Sequence, residues 1–128
     1  IDFMTLNYFE LKHEMRENLS LKDLSKKLCK QLKLKKIFVT NGSNGSIVYN
    51  KKLNSYFEAP GLKSVIKDRI GSGDSYFSLA SLLSFIKAKD SETIFLSSLA
   101  SYFNLQNFAN EKFLDSIELK KAILYSLK

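Results

Sequence analysis

The stretch Asp68-Arg69-Ile70-Gly71-Ser72-Gly73-Asp74-Ser75-Tyr76-Phe77 constrains this chain more than any other. Two glycines flank a serine, an aspartate follows, and an apolar-periodic run (Phe77, Ala80, Leu82, Leu83, Phe85, Ile86) begins without a break. That pattern predicts a tight loop delivering the chain into a helix. Gly71 and Gly73 can take backbone angles closed to other residues, and they let a ligand approach the main chain. The first amides of a helix have no internal partner and carry partial positive charge, so a phosphate suits the place. Asp74 is open to two readings, an N-cap or a base held beside an anion site. A short glycine motif before a helix is common, and on its own it carries little weight.

Upstream, residues 1–6 alternate as a strand and deliver Asn7-Tyr8-Phe9-Glu10. Asn7 suits an N-cap, and Glu10, three residues on, can complete a capping box. The helix continues through Met15, with His13 on its surface. Ser20-Leu21-Lys22-Asp23 opens a second helix in the same style, running to about Lys33. Lys35-Lys36-Ile37-Phe38-Val39-Thr40 reads as a buried strand, and Asn41-Gly42-Ser43-Asn44-Gly45 as the turn leading into a further strand at 46–50. Another short strand is expected over 52–58, closed by Ala59-Pro60-Gly61. The order is strand, helix, helix, strand, two or three strands able to pair antiparallel, and then helices alone, which places the chain in the α/β class.

In the helical half, serines fall at 72, 75, 78, 81 and 84. A spacing of three gives a drifting stripe of small side chains, suited to close helix packing. Lys87-Ala88-Lys89 fits a helix C-terminus by charge. A further helix is expected from about Ser91 to Leu105, and Asp115-Ser116-Ile117-Glu118 reads as the capping box of a last one.

With 128 residues the chain is one domain by length, able to bury roughly two-thirds of its unfolded surface. No apolar run approaches the ~20 residues needed to cross a bilayer, so no membrane partner is expected. Cys29 is the only cysteine and cannot form an internal disulfide, which fits a reducing cytoplasm. It falls in the apolar pattern Leu21, Leu24, Leu28 and Leu32, as a small buried hydrophobe. One Cys and one His give no basis for zinc. The net charge of +7 invites a nucleic-acid reading. Much of it sits in Lys26, Lys27, Lys30, Lys33, Lys35 and Lys36, without interleaved aromatics and with only two arginines in the whole chain. A solvated helix face explains that run better than a base or phosphate reader. The chain opens on Ile1, straight into a strand, and is expected to be a piece of something longer.

Three segments in order carry a resemblance. Asp68-Arg69-Ile70-Gly71-Ser72-Gly73-Asp74 resembles the Asp-Thr-x-Gly-Ala-Gly-Asp signature of the ribokinase-like (PfkB) carbohydrate kinases. Asn7-x-x-Glu10 is similar to that family's Asn-x-x-Glu motif. Thr40, Gly42 and Gly45 match its Val-Thr-x-Gly-x-x-Gly segment near the nucleotide. The match spans essentially all of 1–128. It implies the C-terminal part of a three-layer αβα sandwich, without the N-terminal half that carries most sugar-binding residues and the lid.

The resemblance implies direct phosphoryl transfer from ATP, with Mg²⁺, to a hydroxyl of a sugar or sugar phosphate. Asp74 would be the catalytic base, and the Gly71, Ser72 and Gly73 backbone the anion hole. Thr40, Gly42, Gly45, Asp68, Arg69 and Ser98 would lie by the nucleotide, and Asn7 and Glu10 would act on Mg²⁺ through water. Two positions depart from the pattern: Arg69 stands where the family usually has Thr, and Ser98 where a residue against the adenine is usually Asn. Arg69 can reach a phosphate or point to solvent. The missing half implies that this chain alone turns over little. The alternatives are a non-catalytic nucleotide-binding or regulatory module, and a basic interaction domain that keeps only the fold.

Overall fold

A computed structural model describes residues 2–62, 71–105 and 116–126. The chain divides into two compact units, 1–61 and 62–128.

The first unit is built on four strands, β1 (Phe3–Asn7), β2 (Lys36–Thr40), β3 (Ser46–Asn50) and β4 (Ser55–Ala59), in spatial order β1-β2-β3-β4. β1 and β2 are parallel, and the other two pairings are antiparallel. A parallel pair cannot be closed by a short turn. Helices α1 (Tyr8–Met15) and α2 (Leu21–Gln31) make the crossover. Asn7 and Glu10 start α1 as a capping box, each bonding the other's amide. Ser20 caps α2, accepting from the Asp23 amide at 3.1 Å. The box at α1 stands as the sequence predicts, whereas at α2 only its Ser20 half forms, and the Asp23 carboxylate accepts from the Ser20 hydroxyl at 2.6 Å instead.

Apolar spacing decides which faces meet. Leu24, Leu28 and Cys29 from α2 and Leu11 and Met15 from α1 pack with Leu34, Ile37, Val39, Ile47 and Tyr49 in one buried cluster. The alternate positions Phe38 and Val48, on the other face of the central strands, are also fully buried. Truncating a leucine such as Leu24 in a cluster of this kind costs about 2–5 kcal/mol. Cys29 is buried, its Sγ 3.3 Å from the Leu34 carbonyl it donates to, and burial pushes its thiol pKa up. It is a packing residue, as expected. His13 is exposed, and of the lysine run Lys27, Lys30, Lys33 and Lys35 are exposed too.

Two local features differ from the expectation. The strand expected over 52–58 begins only at Ser55. Residues 51–54 form the turn between β3 and β4, with Asn54 left-handed at φ 46° and the Asn50 side chain accepting from the Leu53 amide at 3.2 Å. The second is the end of α2. Lys33 takes the left-handed conformation at φ 57°, its amide bonds Lys30, and the Leu34 amide bonds Cys29. This is a Schellman closure, built on lysine where glycine is usual.

The second unit holds α3 (Ser72–Phe85), α4 (Asp90–Leu105) and α5 (Ser116–Ser126). α3 ends in another Schellman closure on a lysine: Lys87 is left-handed at φ 60°, with the Lys87 and Ala88 amides bonded to Ser84 and Leu83. α3 packs along α4. Tyr76 and Ala80 on α3, and Thr93, Ile94, Ser97, Leu99 and Ala100 on α4, are buried. The serine stripe drifts around α3, with Ser78 exposed and Ser81 and Ser84 half-buried. The hydroxyls of Ser81, Ser84 and Ser97 are buried with no hydrogen-bond partner among the described residues. These serines fill space as small side chains. On its outer side α3 exposes Phe77, Leu82, Phe85 and Ile86. The capping box expected at 115–118 begins outside the described residues.

The turn between β2 and β3 is locked by backbone packing. Gly42–Asn44 forms a single 3-10 turn, and Gly45 follows at φ 92°. A Cβ on Gly45 would land on the Ala59 carbonyl oxygen, with the Gly61 nitrogen at 2.8 Å. A Cβ on Gly61 would strike the Ser43 carbonyl. Gly42, at φ 53°, would have a Cβ that meets none of the described residues within 4 Å. Gly45→Ala is therefore expected to cost about 3 kcal/mol or more, and Gly42→Ala about 1–2 kcal/mol, in urea denaturation. Equal losses would mean that the interlock with 59–61 contributes nothing.

Candidate functional site

The candidate residues fall in two groups, one in each unit. In the first, parallel pairing sets Asn7 directly beside Thr40, at the C-terminal ends of β1 and β2. The 3-10 turn with Gly42 and Gly45 leaves from Thr40, whose antiparallel partner is Ser46. The Asn41 amide donates to the Gly45 carbonyl at 2.7 Å and closes the loop. Asn7, Thr40, Gly42 and Gly45 thus share one end of the sheet. The C-terminal edge of parallel strands is where open α/β sheets place ligands.

Asn7 and Glu10 have a structural task there. The Asn7 amide donates to Glu10 Oε2 at 2.8 Å, and the Glu10 amide donates to Asn7 Oδ1 at 2.9 Å. Both side chains are exposed, and Glu10 keeps its second carboxylate oxygen outside the box. Among the described residues no group of three His, Cys, Asp or Glu side chains can hold a metal directly. One carboxylate and one amide oxygen fit a Mg²⁺ ion that keeps several of its waters. Gly42 and Gly45 separate by cause. Gly45 is a glycine because neighbouring backbone occupies the space, whereas Gly42 is exposed and faces no neighbour within 4 Å among the described residues.

In the second unit, α3 begins at Ser72, earlier than an aspartate cap would allow. Gly71 is the N-cap, left-handed at φ 79°, and contributes no side-chain hydrogen bond. Asp74 is thus the third residue of the helix, exposed in its first turn, and the N-cap reading of Asp74 is set aside. The first intrahelical bond runs from Ser75 to the Gly71 carbonyl at 2.9 Å. The amides of Gly73 and Asp74 have no carbonyl four residues back within the helix, and they lie at its positive end.

Gly73 is the informative residue. A glycine in a helix costs about 1 kcal/mol relative to alanine. Its φ lies outside the left-handed range, it is exposed, and an added Cβ would meet nothing within 4 Å among the described residues. Neither its conformation nor packing among the described residues asks for glycine at this position. Gly71, by contrast, is accounted for by its positive φ.

Ser98 is half-buried, two turns into α4, between the buried Ser97 and Leu99. Asp68 and Arg69 lie outside the described residues. Gly61 escaped the sequence reading as more than a turn residue. Its role depends on the approach of Ser43, which no local pattern announces.

Comparison with known proteins agrees with this arrangement of elements. The pfkB family carbohydrate kinase description matches residues 1–107. No curated protein matches the sequence. Among solved structures, ribokinase from Thermotoga maritima is 20% identical with a TM-score of 0.79, covering 98% of this chain and 42% of that one. Phosphofructokinase-2 from Escherichia coli, solved in complex with substrates and products, is 16% identical with a TM-score of 0.84, covering 100% and 42%. Nucleoside kinase from Methanocaldococcus jannaschii, an archaeal member of the ribokinase family, is 23% identical with a TM-score of 0.72, covering 97% and 40%. At these identities the likeness shows a shared ribokinase-like fold. The chain spans about two-fifths of the length of each of these kinases.

The capping box gives a test that separates structure from ligand binding. Asn7→Asp keeps an N-cap acceptor and is expected to hold stability within a few tenths of a kcal/mol, while Asn7→Ala loses about 1 kcal/mol in denaturant unfolding. Equal stability of all three proteins would remove the structural account of Asn7.

Proposed function

The chain belongs to the pfkB family of carbohydrate kinases, and from that premise we propose that it carries the nucleotide site, anion hole and catalytic base of a sugar kinase. The observation that carries this reading is Gly73, a helix-start glycine that neither its conformation nor packing among the described residues requires. Room at that point serves something outside the chain, and the helix amides beside it favour an anion.

In this reading the sugar hydroxyl oxygen attacks the γ-phosphorus of ATP, the bond to the ADP oxygen breaks, and Asp74 takes the hydroxyl proton. Gly71, Ser72, Gly73 and Asp74 present main-chain amides to the charge on the transferring phosphoryl group. By the family resemblance Thr40, Gly42, Gly45, Asp68, Arg69 and Ser98 serve the nucleotide, with Gly45 holding the 41–45 loop. When bound, Mg²⁺ neutralises charge on the phosphates, with Asn7 and Glu10 orienting its water shell. The sugar or sugar phosphate is held by a kinase portion outside these 128 residues. The exposed apolar face of α3 (Phe77, Leu82, Phe85, Ile86) supports that division. Several large apolar side chains left exposed close together mark a surface that another element can cover. Positioning and electrostatics dominate phosphoryl transfer, so this chain alone is proposed to turn over little.

Two measurements test the proposal. Calorimetric titration with ATP and Mg²⁺ is expected to show saturable binding that weakens more than tenfold in Gly73→Asp, which puts charge and bulk in the anion loop. Unchanged affinity in that variant would rule out phosphate contact at this helix start. In the kinase completed by its sugar-binding portion, Asp74→Ala is expected to lower kcat by about 10²–10⁴-fold with ATP affinity nearly intact. Retained turnover would refute the base assignment, and ATP binding with no turnover in the parent protein would identify a non-catalytic nucleotide module.

A further inference from the structure

The lysines of the first unit are not evenly spread. From Lys22 to Lys52 the chain carries nine lysines and one acid, Asp23. Several are neutralised locally: Lys22 pairs with Glu58, Lys27 with Glu17, and Lys35 with Asp2. Lys30, Lys33, Lys51 and Lys52 are exposed and make no ion pair among the described residues.

These four gather at one end of the sheet. Lys30 and Lys33 belong to the Schellman closure of α2, which leads into β2. Lys51 and Lys52 form the β3–β4 turn, and the Lys51 amide donates to the Lys35 carbonyl at 2.9 Å. Lys36 and Asn50 are register partners at the same end. The charge of Lys51 is felt at Cys29, near the end of α2. Asp2, whose carbonyl accepts from the Lys35 amide, is engaged by the Lys35 side chain. Each loop also presents a leucine to solvent, Leu32 at 48% and Leu53 at 61% exposure. Two neighbouring loops therefore each carry two free lysines and one exposed leucine.

We propose that this end of the sheet docks on the surface of an anionic lipid bilayer. Leu32 and Leu53 enter the boundary between headgroups and acyl chains, and Lys30, Lys33, Lys51 and Lys52 meet the negative headgroups. Free lysines beside exposed apolar side chains suit a bilayer surface, where each lysine near an anionic leaflet strengthens binding about fivefold. Nucleic acid fits less well. These loops hold no arginine fork for phosphate and no aromatic ring for a base to stack on, and leucine tips gain nothing from a phosphate backbone. No helix among the described residues is long and apolar enough to cross a membrane, and surface docking needs none. The strands run five residues, roughly 13 Å, from this end to Asn7 and Thr40. The proposed nucleotide end of the sheet therefore faces away from the bilayer.

The test is co-sedimentation of the purified protein with phosphatidylcholine vesicles, with and without phosphatidylserine, at physiological salt. Binding is expected only with phosphatidylserine. Lys51→Glu/Lys52→Glu is expected to weaken it more than tenfold. Leu32→Ser/Leu53→Ser, which leaves charge unchanged, is expected to weaken it several-fold. All four positions are exposed, and circular dichroism checks that both variants fold like the parent. Absence of binding to phosphatidylserine vesicles by the parent protein overturns the proposal. So does vesicle binding that the leucine variant leaves intact while single-stranded RNA binds equally well, which would make the patch a nucleic-acid surface.

Discussion

A parallel strand pair imposes the layout of the first unit. β1 and β2 run in the same direction with Asn7 beside Thr40, and such a pair needs a long connection over one face. Here the connection is α1 and α2, and their apolar stripes meet Ile37, Val39, Ile47 and Tyr49 to make the core. The same pairing sorts the loops. Chain segments leaving β1 and β2 gather at one end, and those entering β2 and leaving β3 gather at the other. The first end holds the capping box and the glycine turn; the second holds the lysine-rich loops. Chemistry and charge are separated by topology before any side chain is considered.

Much of this was legible in the sequence, because the signals were local. Asn7 and Glu10, and Ser20 and Asp23, stand at capping-box spacing, and both helices start there. The apolar period of Leu21, Leu24, Leu28 and Leu32 assigned the buried face of α2 and Cys29 to the core with it, except that Leu21 is only partly buried and Leu32, at the helix end, turns out to solvent. The apolar run Ile37-Phe38-Val39, the strand-like 46–50 segment and the Asn-Gly turn between them gave the central hairpin. What escaped depends on geometry that no residue type declares. Two helices end on left-handed lysines, Lys33 and Lys87, where a reader looks for glycine. The β3–β4 turn begins in residues that read as strand, since the Asn50 side chain and the left-handed Asn54 divert the backbone.

The glycines show the same division. The family resemblance marks Gly42, Gly45, Gly71 and Gly73 as a set, and the structure assigns them different causes. Gly45 is demanded by the backbone of 59–61, Gly71 by its own φ, and Gly42 by φ without crowding. Asp74 was ambiguous in sequence between cap and base. Its place as the third residue of α3, behind a glycine cap, releases its side chain from the N-cap bond. That frees the carboxylate for other work without saying what the work is.

Gly73 carries a wider consequence. Replacing a solvent-facing helical glycine with alanine is among the common ways to raise a protein's stability. A sequence tuned for thermal resistance alone would therefore change position 73 early, and the fold would accept the change. If phosphate approaches there, the more robust protein would also be the weaker kinase. Stability and activity would then draw on one atom position, a Cβ absent from the first turn of α3.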